Sequence, residues 1–128
     1  MSRPNILVID DEPHVAMLVE LAGRTWGYDV VGAGSLEEGR SLLGPDTETR
    51  MLLLDVRLPD GSGLDLLEEL RQDPRFKDLP IIILTGIGED NVVQRAESGG
   101  ARCITKPFSP TKLGRMVADI LGLPEPQP

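Results

Sequence analysis

The sequence predicts an α/β protein: five βα units folded into one parallel sheet with helices on both faces. Three observations predict it. Short apolar runs rich in Ile, Val and Leu alternate with longer stretches whose apolar residues recur at helical spacing. The runs are continuous rather than alternating, as in parallel strands buried on both faces. The connections are short, which implies right-handed crossovers that layer helices on either side of the sheet.

Taken in order, the first strand is Ile6-Leu7-Val8-Ile9. Pro13 suits the first turn of the helix that follows, on which Val15, Leu18, Val19, Ala22 and Trp26 share a face before Gly27 ends it. Tyr28-Asp29-Val30-Val31 is a weaker second strand. Ser35, with Glu38 three residues on, has the form of a capping box, opening a second helix that stops near Gly44-Pro45. Met51-Leu52-Leu53-Leu54 is the third strand, and Leu64, Leu67 and Leu70 mark the third helix, closed before Asp73-Pro74. Ile81-Ile82-Ile83-Leu84 is the fourth strand. The fourth helix, about residues 89–98, has only Val92, Val93 and Ala96 as apolar residues, and Gly99-Gly100 ends it. Ala101-Arg102-Cys103-Ile104 forms the fifth strand, and Leu113, Met116, Val117, Ile120 and Leu121 the clearest stripe, on the fifth helix. No internal repeat or second domain is visible, so one domain is expected over residues 1–122. The Pro-rich tail after Gly122, Leu123-Pro124-Glu125-Pro126-Gln127-Pro128, cannot continue a helix and reads as a stub or the start of a linker.

At 128 residues the chain is long enough for one domain with a real core. The formal charge of −8 argues against a nucleic-acid-binding surface, because phosphate contacts need a basic stripe. One cysteine permits no internal disulfide and fits a reducing cytoplasm. Met1-Ser2-Arg3-Pro4-Asn5 leads into a buried-strand pattern, without the apolar stretch and cleavage site of a signal peptide. The apolar runs fall far short of the roughly 20 residues that span a bilayer. The expectation is a soluble cytoplasmic domain with no membrane partner.

Four of the strands run into residues that phosphoryl-transfer chemistry uses: Asp10-Asp11, Asp55, Thr85 and Lys106-Pro107. In an open parallel sheet, ligands bind beyond the carboxyl ends of the strands. Three carboxylates, a hydroxyl and an ammonium therefore converge, although they lie far apart in sequence. Each has a plainer reading. Asp11 or Glu12 can simply cap the first helix. Two acids in a row repel unless a cation lies between them, however, and hard oxygen ligands suit Mg²⁺. Asp55 alone reads as a turn residue; opposite Asp10-Asp11 it reads as a carboxylate nucleophile held close to that cation. A strand-end Thr is ordinarily β-propensity, but here its hydroxyl can donate to a phosphoryl oxygen, with Gly86 leaving the approach uncrowded. Lys106 is the natural counter-ion of the carboxylates, whether as a structural salt bridge or as a phosphoryl ligand. Asp60-Gly61 and Ser62-Gly63 read as turn chemistry with no function. His14 reads as an exposed first-helix residue, Trp26 as core filling or a helix-end plug, and Glu37-Glu38 and Glu68-Glu69 as solvated faces.

In this order and at these intervals, Asp10-Asp11, Asp55, Thr85 and Lys106-Pro107-Phe108 resemble the receiver domain of two-component response regulators, over essentially residues 4–122. The resemblance implies a flavodoxin-like doubly wound sheet with strand order 2-1-3-4-5. It also implies that Asp55 is the phosphoacceptor, taking a phosphoryl group from a histidine of a sensor kinase or a histidine phosphotransfer protein. Asp10, Asp11 and Asp55 would hold Mg²⁺, with the backbone carbonyl of Arg57 as a further ligand. Thr85 and Lys106 would bind the acyl phosphate, and the Lys106–Pro107 peptide would be cis. The output would be a changed surface on the fourth helix, fifth strand and fifth helix, read by a downstream protein or an attached output domain.

The sequence departs from the family three residues before the lysine, where receivers usually carry Tyr or Phe and this chain has Cys103. A thiol is too small to repeat an aromatic swing. Activation is therefore expected to be a smaller shift, carried by Thr85-Gly86-Ile87-Gly88 and the fourth helix. Arg57 and Ile87, two residues after Asp55 and Thr85, flank the path of a hydrolytic water; Ile87 would slow it, and Arg57 would pair with the phosphoryl group or with Glu89. Two other functions compete. An aspartate-nucleophile phosphatase uses similar residues but wants a second acid where Arg57 stands, and this chain leaves no room for a cap domain. The chain is therefore expected to catalyse only its own phosphorylation and dephosphorylation. A phosphorylation-independent scaffold is disfavoured by the retention of all five site residues, although Cys103 argues mildly for altered signalling.

Overall fold

A computed structural model of the chain describes residues 3–44 and 48–126. Met1, Ser2, the expected helix stop at Pro45 and the last two tail residues, Gln127 and Pro128, lie outside the described residues. Five strands make one parallel sheet: β1 (Asn5–Ile9), β2 (Asp29–Ala33), β3 (Thr49–Asp55), β6 (Ile81–Thr85) and β7 (Arg102–Thr105). Between β3 and the next helix lies a small antiparallel ribbon, β4 (Arg57–Leu58) with β5 (Gly61–Ser62), which the sequence did not announce. The sheet order is β2-β1-β3-β6-β7, which is 2-1-3-4-5 when the sheet strands alone are counted, as expected. The helices are α1 (Pro13–Trp26), α2 (Leu36–Leu42), α3 (Gly63–Arg71), α4 (Asp90–Ser98) and α5 (Pro110–Leu121).

Successive strand residues point to opposite faces, and the apolar runs divide accordingly. Ile6, Val8, Met51, Leu53, Ile82, Leu84 and Ile104 meet Val15, Val19 and Ala22 of α1 and Leu113 and Val117 of α5. Leu7, Ile9, Leu52, Leu54, Ile81 and Ile83 meet Leu36 of α2, Leu64, Leu66, Leu67 and Leu70 of α3, and Ala96 of α4. Both faces are sealed, which is why the strand sequences are continuous rather than alternating.

Local signals set the helix ends. Gly27 takes a left-handed conformation at φ 91° and stops α1, a position where only glycine is unstrained. Ser35 Oγ accepts the Glu38 N–H at 3.1 Å, but Glu38 Oε1 returns to the Gly34 N–H at 2.8 Å rather than to Ser35, so the capping box is offset by one residue. Asp60, expected to be a turn residue only, accepts the N–H groups of Leu36 and Glu37 at 2.9 and 3.0 Å and caps α2 from the β4–β5 turn. Those two bonds hold its carboxyl below the usual carboxylate range. Trp26 packs against Gly114, where a Cβ would sit 2.5 Å from the indole; glycine thus lets α1 and α5 close on each other. Among the described residues, no helix is long and apolar enough to cross a membrane.

Candidate functional site

The parallel register brings the carboxyl ends of four strands together. The Asp10 N–H donates to Ala33 O at 2.9 Å, Asp55 lies opposite Leu84, and the Lys106 N–H donates to Thr85 O at 2.7 Å. The Lys106–Pro107 peptide is cis, as expected. Lys106 Nζ lies 2.7 Å from Asp10 Oδ2, 3.3 Å from Asp55 Oδ2 and 3.6 Å from Glu12 Oε1. The ammonium thus meets two of the three expected carboxylates, and Glu12 takes the place expected of Asp11, which is exposed. Asp10 and Asp55 are buried, along with Thr85.

Burial pushes the Asp55 carboxyl above the usual carboxylate range, and the charge of Asp10 adds to it; Lys106 offsets part of the rise. Burial also pulls Lys106 down, but its close contact with Asp10 and the charges of Asp55 and Asp10 outweigh that and hold the ammonium above its usual value. Asp10 Oδ1 accepts the Glu12 N–H at 2.9 Å, while Asp10 Oδ2 is buried without a directed hydrogen bond. Its contact with Lys106 is an ion pair by distance alone. Carboxylate oxygens of Asp10, Asp11 and Asp55 lie within 4.8 Å of one another. Three hard oxygen donors, two of them on buried side chains, fit a small divalent cation that retains several waters.

A second cluster lies beside the first. Thr85 Oγ1 donates to Glu89 Oε2 at 3.0 Å, the Gly86 N–H donates to the same oxygen at 3.1 Å, and Arg57 reaches Glu89 Oε1 at 2.5 Å. Of the two partners expected for Arg57, Glu89 is the one it meets here. Ile87 stands at 81% exposure beside this cluster. Gly63, also expected to be turn chemistry only, is packed against the carbonyl of Asp55 so closely that a Cβ would collide with it. The strand end that carries Asp55 is therefore seated on a glycine at the start of α3. The contacts of Glu12 with Lys106, of Glu89 with Thr85 and of Gly63 with Asp55 were not legible in the sequence, because they lie in what these residues touch rather than in a local pattern. His14 is exposed and lies 3.3 Å from Glu12. Cys103 is half-buried against the apolar cluster that includes Ala96, and burial, with Glu97 nearby, pushes its thiol up.

A profile of the response regulator receiver domain matches residues 6–118. The chain belongs to the response regulator receiver family. The receiver is 33% identical to chemotaxis protein CheY1 of Helicobacter pylori over 91% of this chain and 96% of that protein. It is 35% identical to response regulator protein PilR of Pseudomonas aeruginosa over 99% of this chain, but over only 28% of that longer protein. It likewise spans 49% of the phosphate regulon transcriptional regulatory protein PhoB of the same organism, at 38% identity. The chain thus covers less than half the length of these two regulators. A crystal structure of a putative response regulator from Chloroflexus aurantiacus superposes with a TM-score of 0.83 at 34% identity, covering 95% of this chain and 99% of that one.

Proposed function

We propose that this receiver takes a phosphoryl group from a phosphohistidine onto Asp55, and that it signals by the resulting change of surface. The observation that carries the reading is the position of Asp55: a buried carboxylate 3.3 Å from the Lys106 ammonium, grouped with Asp10 and Asp11. One Asp55 oxygen forms the new O–P bond as the P–N bond breaks, its electron pair returning to the ring nitrogen of the donor histidine, which takes a proton from solvent. Lys106 holds the Asp55 oxygen and neutralises incoming charge, the role expected of a fixed cation at a water-poor site. The Thr85 hydroxyl supplies a proton donor for a phosphoryl oxygen. Asp10, Asp11, Asp55 and the Arg57 backbone carbonyl would hold Mg²⁺, whose positive charge, when bound, serves both the carboxylate and the phosphoryl oxygens.

By this reading residues 1–122 are the receiver unit, cytoplasmic, paired with a sensor histidine kinase or a histidine phosphotransfer protein. It turns over no external substrate. The net charge of −8 supports a protein partner rather than direct contact with nucleic acid. Incubation with acetyl phosphate and Mg²⁺, read by intact mass, is expected to add one phosphoryl group to the wild type. Asp55→Asn is expected to add none, and Asp11→Ala to lose the metal dependence while remaining folded. Lys106→Ala is expected to be phosphorylated more slowly. A phosphoryl group on Asp55→Asn would overturn the assignment.

A further inference from the structure

The Thr85 hydroxyl has one proton, and the nearer of its two acceptors is Glu89. Glu89 Oε2 lies 3.0 Å from Thr85 Oγ1, whereas the alternative acceptor, Gly86 O, is at 3.3 Å. The same carboxylate takes the Gly86 N–H at 3.1 Å and the Arg57 guanidinium at 2.5 Å. A hydroxyl, a backbone N–H and a guanidinium thus surround one carboxylate. That donor set suits a phosphoryl group equally well. Glu89 occupies the N-cap position of α4, yet its side chain caps none of the helix N–H groups and turns back into the site instead. The Glu89 side chain is 17% exposed, against 83% for the arginine that covers it.

Given the reading of Asp55 as phosphoacceptor, we infer that Glu89 is a positioning residue that engages the Thr85 donor before phosphorylation and surrenders it to the phosphoryl group afterwards. One hydroxyl proton serves one acceptor, so the two states exclude each other. A phosphoryl group brings between one and a half and two negative charges, roughly, and like charge drives Glu89 out as the new acceptor arrives. Arg57 and the Gly86 N–H are released in the same exchange. The exchange reaches α4 because Glu89 is bonded directly to its first residue, Asp90, and because α4 buries Ala96 alone. With Cys103 lacking a ring to swing, this tie gives the Thr85 movement a second route to the partner surface.

The test is a titration with beryllofluoride and Mg²⁺, a phosphoryl mimic, followed by amide NMR in the wild type, Glu89→Ala, Glu89→Gln and Asp55→Asn. Before any mimic is added, Glu89→Ala is expected to move the Gly86 amide and the amides of residues 86–93 part of the way toward their mimic-bound wild-type positions. Its affinity for the mimic should rise about tenfold, the worth of one hydrogen bond to a charged group. Glu89→Gln keeps an acceptor oxygen but loses the charge, so it should fall between the two. If Glu89→Ala binds the mimic no more tightly than the wild type, or its Gly86 resonance does not move, the role of Glu89 is overturned while the phosphoacceptor reading stands. If the wild type does not bind, or Asp55→Asn still binds, it is the phosphoacceptor reading that falls.

Discussion

Helices α4 and α5 pack on opposite faces of the sheet, and they are held by different forces. α5 buries Leu113, Gly114, Val117 and Ala118 and half-buries Met116, Ile120 and Leu121. α4 buries only Ala96, with Val92 packed partly against the core. A fully buried aliphatic side chain contributes about 1.5–3 kcal/mol, so apolar burial holds α5 several times more firmly. What holds α4 is polar. Glu89 anchors its start, Arg95 reaches Glu68 at 2.6 Å and Asp65 at 3.4 Å, and Arg71 donates to Gly99 O just past its end at 2.5 Å. Apolar burial has no substitute once it is lost, but a polar tie can be exchanged for another of equal strength. The helix that is tied to the site is the one whose ties are exchangeable, and elements that move in switching come from this weakly packed end of a structure.

The largest test of this contrast is a pair of truncations. Leu113→Ala should destabilise the domain by about 2–5 kcal/mol, the range for a fully buried leucine. Val92→Ala in α4 should cost about 1 kcal/mol or less. Urea unfolding measures both, and equal losses would break the comparison. A smaller effect is expected at Arg71, whose guanidinium also donates to Phe76 O, Lys77 O and Leu79 O and so joins the end of α3, the loop after it and the end of α4. Arg71→Met should cost about 1–3 kcal/mol, because it leaves carbonyls unsatisfied. Hydrogen exchange should quicken near Gly99 and Gly100 while α5 is unchanged; a loss spread evenly over both helices would contradict the polar account of α4.

The smallest effect sharpens the role of Glu89 through pH. The Gly86 N–H and the Thr85 hydroxyl, with Arg57 adding, hold its carboxyl below the usual range. A carboxylate lowered on folding stabilises the native state fully above its unfolded pKa of about 4.3, and that stabilisation is lost as pH falls from there toward the folded value. The difference in thermal stability between wild type and Glu89→Gln should therefore hold steady near neutrality and narrow below that point. A gap that widens on acidification would show that the charge is not what makes the tie.

Strand and helix patterns were legible because they are local. The continuous run Ile81 to Leu84 has the pattern of a strand covered on both sides, and the Leu113–Val117–Ile120 stripe that of a helix with one wet face. The site residues were legible for a related reason: each stands at the end of such a run, and parallel strands bring their carboxyl ends together. The weakness of α4 could also be read, since only three apolar residues lie along it.

What the sequence by itself determined, then, was the order of elements, the two apolar faces and the gathering of Asp10, Asp11, Asp55, Thr85 and Lys106 at the carboxyl end of the sheet. Only the tertiary structure decided which of these groups touch. It placed Glu12 rather than Asp11 against Lys106, turned Glu89 back onto Thr85 instead of along α4, and set Asp60 on the start of α2. It also seated Gly63 against the backbone of Asp55. The physical reason is range. Periodicity and capping act within a few residues and leave their mark in the sequence, whereas hydrogen bonds and ion pairs between side chains act over about 3–4 Å and are fixed only when the packed sheet sets which loop ends meet.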